Sequence, residues 1–216
     1  KGIKFDFSGN TKCVETAKNT YKSKAVIICT GAGPRKLDVA GEQKFAGRGV
    51  SYCAVCDGGF FRGKDVAIVG GGNSALEDVA YLTNLAKTTY LINRTEKYRA
   101  DAVLVKAMQS LTSQGKIKLL ENTIVTQIVG DKNVECIKLK NTSTGGEFDL
   151  AIDGLFVEIG RVPNTSCFDG LIELDQNGYV VADANLQTSQ SGVFVAGDVR
   201  QKTLRQIVTA CADGAL

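Results

Sequence analysis

Not one histidine occurs in this chain. Imidazole, the usual general base and the commonest ligand for transition metals, is therefore unavailable. Zinc would need thiolates alone, and only one C-x-x-C is present, so two of the isolated cysteines at positions 13, 29, 136, 167 and 211 would have to join it. Proline occurs twice against 24 glycines, which reads as many βα turns and few rigid linkers. No apolar run approaches the length of a bilayer, and no secretory leader is read in it. A net charge of +3 is too small to imply nucleic acid or an anionic membrane as the main partner. Seven cysteines, odd in number and scattered, do not form the framework of a secreted disulfide protein. The expectation is a cytoplasmic protein that binds neither nucleic acid nor membrane.

What is present is enough for a core: 216 residues with 44% apolar content. Val66–Val69 reads as a buried strand. It is followed by a helix over 73–85, with Ala75, Leu76, Val79, Ala80 and Leu82 at helical spacing, and by a β-branched strand over Thr88–Ile92. This βαβ unit implies a parallel sheet with a right-handed crossover. A further helix is predicted over 102–115, then strands over 116–121, 123–129, 134–140, 147–151 and 154–159, with Gly145-Gly146 as a hairpin turn. Ala25–Cys29 and Gly192–Ala196 are buried strands of the flanks, the second followed by a helix from about Leu204. The flanks should pack together around an inserted middle domain.

Two motifs carry chemistry. Gly70-Gly71-Gly72-Asn73-Ser74-Ala75 is a G-x-G-x-x-A between a strand and a helix. Gly70 permits the tight turn, Gly72 lets the backbone approach a pyrophosphate, and Ala75 brings the helix close to the sheet. The phosphates then meet free N–H groups at the helix start, from Asn73 and Ser74 on. At the end of the second strand, where an NAD site would place a carboxylate, stand Asn93-Arg94, with Lys97 and Arg99 close behind. A guanidinium suits a 2′-phosphate, which favours NADPH; a solvated basic face is the alternative. The second motif is Cys53-Ala54-Val55-Cys56, a spacing that closes a redox disulfide, although half a metal site or two structural thiols share the pattern. Asp57 follows directly and is placed to give or take a proton as a thiolate leaves. In the last flank, Gly197-Asp198 closes a strand ahead of Arg205-Gln206; the carboxylate suits sugar hydroxyls, or is simply a helix cap.

The segments CAVCDG, GGGNSALE, YRAD, GLFVEIGRVPNT and GVFVAGDVRQKTLRQIVTACADGA together resemble the low-molecular-weight bacterial thioredoxin reductases, in order and over nearly the whole chain. That resemblance implies an α/β, Rossmann-like FAD/NAD(P)-binding fold in which a nicotinamide domain is inserted into a split flavin domain. Residues 1–46 and 161–216 would be parts of the flavin domain and 47–160 the NADPH domain. It implies that hydride passes from NADPH to N5 of FAD and that the flavin then reduces the Cys53–Cys56 disulfide. Cys56 would face the flavin and Cys53 would attack thioredoxin or a similar small disulfide protein, with Asp57 as the acid. Asp198 would hold the ribityl chain, Arg205 and Gln206 would lie beside the ring, and Thr30-Gly31 would form the flavin domain's strand-end turn. A homodimer is implied as well.

The chain departs from that pattern in three places. Asn93-Arg94-Thr95 stands where the family carries His-Arg-Arg. The earlier glycine run, Gly31-Ala32-Gly33-Pro34, has proline where a phosphate-binding helix would offer an N–H. The chain also begins without Met and stops inside what should be the final helix. A piece of a longer protein is expected, holding the nicotinamide and dithiol domain but lacking the N-terminal flavin half. Two other functions fit the motifs: the NADH-dependent reductase component of an alkyl hydroperoxide system, and a nucleotide-binding module that senses redox state without turnover.

Overall fold

A computed structural model describes residues 2–216, with side chains described from residue 4 on. In chain order it forms β1 (Gly2–Asp6), β2 (Lys12–Thr16), β3 (Thr20–Ser23), β4 (Val26–Ile28), β5 (Ala32–Pro34), α1 (Glu42–Phe45), β6 (Val50–Ser51), α2 (Ala54–Asp57), β7 (Asp65–Val69), α3 (Asn73–Leu82), β8 (Thr88–Ile92), α4 (Ala102–Ser113), β9 (Ile117–Leu120), β10 (Thr123–Val129), β11 (Cys136–Asn141), β12 (Glu147–Ala151), β13 (Gly154–Val157), β14 (Arg161–Pro163), β15 (Val193–Val195) and α5 (Ile207–Ala215). None of the helices among the described residues is long and apolar enough to cross a membrane. The chain divides into a middle unit, Pro34–Gly160, and a flanking unit made from the segments up to Gly33 and from Arg161 on.

The middle unit is Rossmann-like. Its five-stranded sheet runs β6-β13-β7-β8-β9, with every pairing parallel. A parallel sheet is covered on both faces, so its strands are continuous apolar runs rather than alternating ones. Val66, Ile68, Leu91 and Phe156 point to the side of α3 and α4, where Leu76, Val79, Leu82 and Met108 complete the core. Ala67, Val69, Ile92 and Leu155 point to the other side, covered by the antiparallel sheet β10-β11-β12 through Val125, Ile128, Ile137 and Leu139. Strand order reverses at β7, with β8 on one side and β13 on the other; a sheet of this kind binds ligands at the crevice beyond such a point.

In the flanking unit β1, β2 and β3 form an antiparallel meander, and β15 pairs in parallel with β4 over a core of Phe7, Ile28, Phe168, Val180 and Val193. The glycine run after Thr30 opens no helix: Ala32–Pro34 is a strand paired with Arg161–Pro163. Three helices are shorter than periodicity implied, α4 ending at Ser113 rather than at 115. α3 stops at Leu82 rather than Leu85, and α5 starts at Ile207, beyond Arg205 and Gln206.

Residues 34–46, read above with the first flank, pack in the middle unit. Phe45 is 1% exposed and shares a core with Val125 and Ile128. Glu42, 3% exposed, accepts the Leu37 and Asp38 N–H groups at 3.0 and 2.8 Å and the Tyr52 hydroxyl at 2.9 Å. Burial, together with that carboxylate, raises the Tyr52 phenol well above its ordinary value, so it remains a donor. The chain therefore crosses between units at Gly33–Pro34 and Gly160–Arg161. Gly41 has φ 91°, and a Cβ there would run into the Ile128 carbonyl oxygen. Gly41→Ala should destabilise the fold by about 2–4 kcal/mol, from overpacking and backbone strain together, read as a lower urea midpoint at unchanged slope.

Candidate functional site

The glycine turn leaves β7 at the point where strand order reverses. Gly70 has no room for a side chain: a Cβ would collide with the Glu158 carbonyl oxygen just beyond β13 and lie 2.8 Å from the Ala75 Cβ. Gly70 N–H donates to the Ile92 carbonyl at 3.0 Å and Glu158 N–H to the Val69 carbonyl at 2.8 Å, which pins the turn between its neighbours. Gly72 is different. It is extended, and a Cβ there would meet nothing within 4 Å, so its face is open. No side chain caps α3. Its N-cap is Gly72, and Asn73, the first helical residue, is held by Asp101: Asn73 Nδ2 donates to Asp101 Oδ2 and Asp101 N–H to Asn73 Oδ1, both at 2.9 Å. The first N–H groups of α3, through Asn73, Ser74 and Ala75, thus lie at an open, uncapped helix start, the arrangement that accepts a phosphate.

The basic loop is built onto the same turn. Asn93 is buried at the end of β8; its Nδ2 donates to the Thr95 and Lys97 carbonyls at 2.8 and 3.1 Å, and a Cβ on Gly71 would lie 2.7 Å from its Oδ1. Arg99 N–H donates to the Gly71 carbonyl at 2.7 Å. Tyr98 donates to Glu121 at 3.0 Å, and burial with that carboxylate raises its phenol well above the ordinary value. Arg94 and Arg99 are exposed on this fixed loop. An open helix start beside two free guanidinium groups fits a dinucleotide with an extra phosphate.

Cys53 and Cys56 are joined by a disulfide, with Cα atoms 5.3 Å apart. Cys56 and Val55 are exposed and Cys53 is half-buried, so the sulfurs face solvent rather than an apolar interior. Cys53 is the N-cap of α2, and its Sγ accepts the Cys56 N–H at 3.2 Å. Asp57 does not stand alone: Ser51 Oγ donates to its Oδ2 at 2.6 Å and accepts the Cys53 N–H at 3.1 Å. Ser51 therefore couples the carboxylate to the backbone of the first cysteine. Sequence patterning passed over it, since a serine ahead of a cysteine carries no signal of its own. Asp78 on α3 accepts the Ala54 N–H and a hydrogen bond with Glu158; burial nonetheless raises its carboxyl above the ordinary range. Dithiol, glycine turn and basic loop all belong to one unit.

In the flanking unit, Thr30 Oγ1 donates to the Asn164 carbonyl at 2.7 Å and Asn164 Nδ2 to the Thr30 carbonyl at 2.8 Å, while Gly31 has φ 69°. Gly197 and Asp198 follow β15, and Asp198 Oδ1 is buried without a hydrogen-bond partner. That orphaned acceptor fits a ligand hydroxyl such as a ribityl chain would bring. The Arg205 guanidinium lies 3.7 Å from the Tyr179 ring centroid with a partnerless Nε, and Gln206 N–H donates to Thr209 Oγ1 at 3.1 Å. No group of three or more metal-binding side chains gathers among the described residues.

A glycine turn at a switch point and a solvent-facing disulfide thus lie together on one parallel-sheet unit. The family described as pyridine nucleotide-disulphide oxidoreductase matches residues 1–214, and the chain belongs to that family. The thioredoxin reductase of Listeria innocua is 45% identical over 206 residues, covering 95% of this chain and 64% of the relative. That of Bacillus subtilis is 41% identical over 206 residues, again covering 95% and 64%. The crystal structure of thioredoxin reductase from Streptococcus pyogenes matches with a TM-score of 0.78 at 41% identity, over 99% of this chain and 70% of that one. The chain thus spans 64% of the length of those two curated relatives.

Asp213, on α5, is 6% exposed. Burial pushes its carboxyl up, but hydrogen bonds from Arg200, Lys202 and the Gly197 N–H outweigh that and hold it at about 2. A carboxyl depressed in the folded state stabilises the fold above its unfolded value near 4 and loses that contribution as pH falls toward 2. The stability gap between the wild type and Asp213→Asn should therefore be largest above pH 5 and shrink steadily below pH 4, as read by urea unfolding across that range.

Proposed function

We propose that these residues serve a thioredoxin-disulfide reductase, passing electrons from NADPH through FAD to the Cys53–Cys56 disulfide and on to thioredoxin or a similar small disulfide protein. One observation supports this most: a solvent-facing C-x-x-C disulfide built into the same unit as an uncapped, glycine-opened helix start. Gly70, Gly72, Asn73, Ser74 and Ala75 receive the pyrophosphate; Arg94 and Arg99 receive the 2′-phosphate. Thr30, Gly31, Gly197, Asp198, Arg205 and Gln206 hold the flavin, which when bound relays two electrons to the disulfide. Residues 47–160 make up most of the NADPH domain, and the flanks at 1–46 and 161–216 belong with the flavin, apart from residues 34–46, which pack with the middle unit.

Once the dithiol is reduced, the Cys53 thiolate attacks one sulfur of the partner's disulfide, forms a mixed disulfide and releases the partner's other sulfur as thiolate. Cys56 then attacks Cys53 Sγ, re-forming the internal disulfide and freeing the reduced partner. Asp57, oriented by Ser51, moves the proton that accompanies each departing thiolate. Five other cysteines are free, three of them exposed, which suits a reducing cytoplasm. A homodimer is part of the same proposal.

Two measurements test the reading. Arg94→Ala should weaken NADPH binding by about tenfold while leaving NADH unchanged, since only the former carries the 2′-phosphate. Equal effects on both nucleotides would assign Arg94 to a solvated face. In the whole polypeptide, Cys56→Ser should leave nucleotide binding intact and abolish thioredoxin reduction, and Asp57→Asn should slow it by about a hundredfold. Undiminished reduction by the Cys56 variant would overturn the proposal.

A further inference from the structure

α5 is an unusual helix: of its nine residues only one is buried, and that one is an aspartate. Asp213 Oδ2 accepts the Gly197 N–H at 2.9 Å, Arg200 Nε at 3.0 Å and Lys202 Nζ at 2.9 Å; Oδ1 accepts Arg200 Nη2 at 2.9 Å. Lys202 is also nearly enclosed, with 8% of its side chain exposed, and lies 3.9 Å from Asp198 Oδ1. One lysine is thus within reach of two carboxylates. It hydrogen-bonds Asp213 but makes only a long ion pair with Asp198, whose buried Oδ1 has no hydrogen-bond partner.

We propose that Asp213 is a positioning residue for the flavin-binding turn, acting by holding Lys202 away from Asp198 so that the Asp198 oxygen stays free for a ligand hydroxyl. Competition for a single ammonium group carries the idea. A buried lysine left without a counter-ion is costly, and the nearest remaining carboxylate is Asp198. Removing the charge of Asp213 should make Lys202 close the remaining gap to Asp198 and occupy the acceptor that the ligand needs. The other charged groups at this cluster are Arg200, which keeps at most one of its two hydrogen bonds when residue 213 is an amide with a single acceptor oxygen, and Arg205, stacked on Tyr179. With its oxygen placed where Asp213 Oδ2 lies, the Asn amide still accepts the Gly197 N–H and gives up the Arg200 Nη2 bond, so the turn itself need not unravel.

The inference rests on the reading of Asp198 as a flavin ligand, and the experiment separates the two. In a crystal structure of the Asp213→Asn variant, Lys202 Nζ should lie within hydrogen-bonding distance of Asp198; an unmoved lysine would overturn the inference. FAD is then titrated into the apoprotein of the whole polypeptide by flavin fluorescence quenching. Asp213→Asn should raise the dissociation constant by about tenfold, the penalty when the open state falls to about a tenth of the population. Asp213→Asn combined with Lys202→Met should recover most of that loss. A helix merely deprived of its anchor would be harmed further by losing a second anchoring group, so a double variant no better than the single one sinks the proposal. Asp198→Ala with unchanged affinity would instead remove the flavin reading itself, and the inference with it.

Discussion

Everything in the middle unit depends on one steric constraint, the approach of the Glu158 carbonyl to the backbone at Gly70. β7 and β13 are adjacent parallel strands, and the chain leaving β7 must turn into α3 without striking the chain leaving β13. Only a residue without a side chain clears that carbonyl, and only a small residue at position 75 lets the helix settle behind the turn. Once both conditions hold, the start of α3 lies against the crevice where strand order reverses. The helix start, the loop carrying Arg94 and Arg99, and the Ala54–Asp78 contact of the dithiol helix are then fixed relative to one another.

Polar side chains that bond to backbone groups or to one another fix the loops that the sheet does not. Asn93 spans Thr95 and Lys97, Glu42 closes the segment ahead of α1, and Asp101 holds Asn73. Each is a local polar clasp on irregular backbone, whose N–H and C=O groups find few partners within regular structure. The Asn73–Asp101 pair ties the first residue of α3 to the N-cap of α4, while the N-cap of α3, Gly72, has no side chain to take up the N–H groups there.

Much of this was legible in the residues. The βαβ unit, the G-x-G-x-x-A and the strands from β10 to β13 follow from periodicity and turn residues, because a two-faced core imposes uninterrupted apolar runs such as VAIV and GLFV. The meander β1–β3 was not: β3 is exposed throughout and carries no buried face to show as a pattern. The extent of the middle unit was misread for a related reason. Residues 34–46 hold few apolar side chains, and their attachment comes through the buried carboxylate of Glu42 and the single ring of Phe45, neither of which has a period. Ser51 and Asp213 escaped notice likewise, since a hydrogen bond across several residues leaves no mark in composition or spacing. Arg205 and Gln206 were placed inside α5, whereas Gln206 is its N-cap and Arg205 lies ahead of it.

The two kinds of anchorage differ in what they permit. α3 buries Ala75, Leu76, Val79 and Leu82 against the sheet, and apolar contact of that sort is non-directional and indifferent to pH. α5 buries only Asp213, so its attachment is directional, depends on charge and is shared with the turn it supports. Desolvating the charges of this cluster offsets much of their attraction. What the cluster supplies instead is placement. The same carboxylate that fixes α5 sets the Gly197 N–H and occupies Lys202, so the geometry around Asp198 is determined by hydrogen bonds within a few ångströms rather than by distant packing. The dithiol unit gains rigidity from its apolar core, and the flanking turn gains an unoccupied acceptor from an internal salt-bridge cluster.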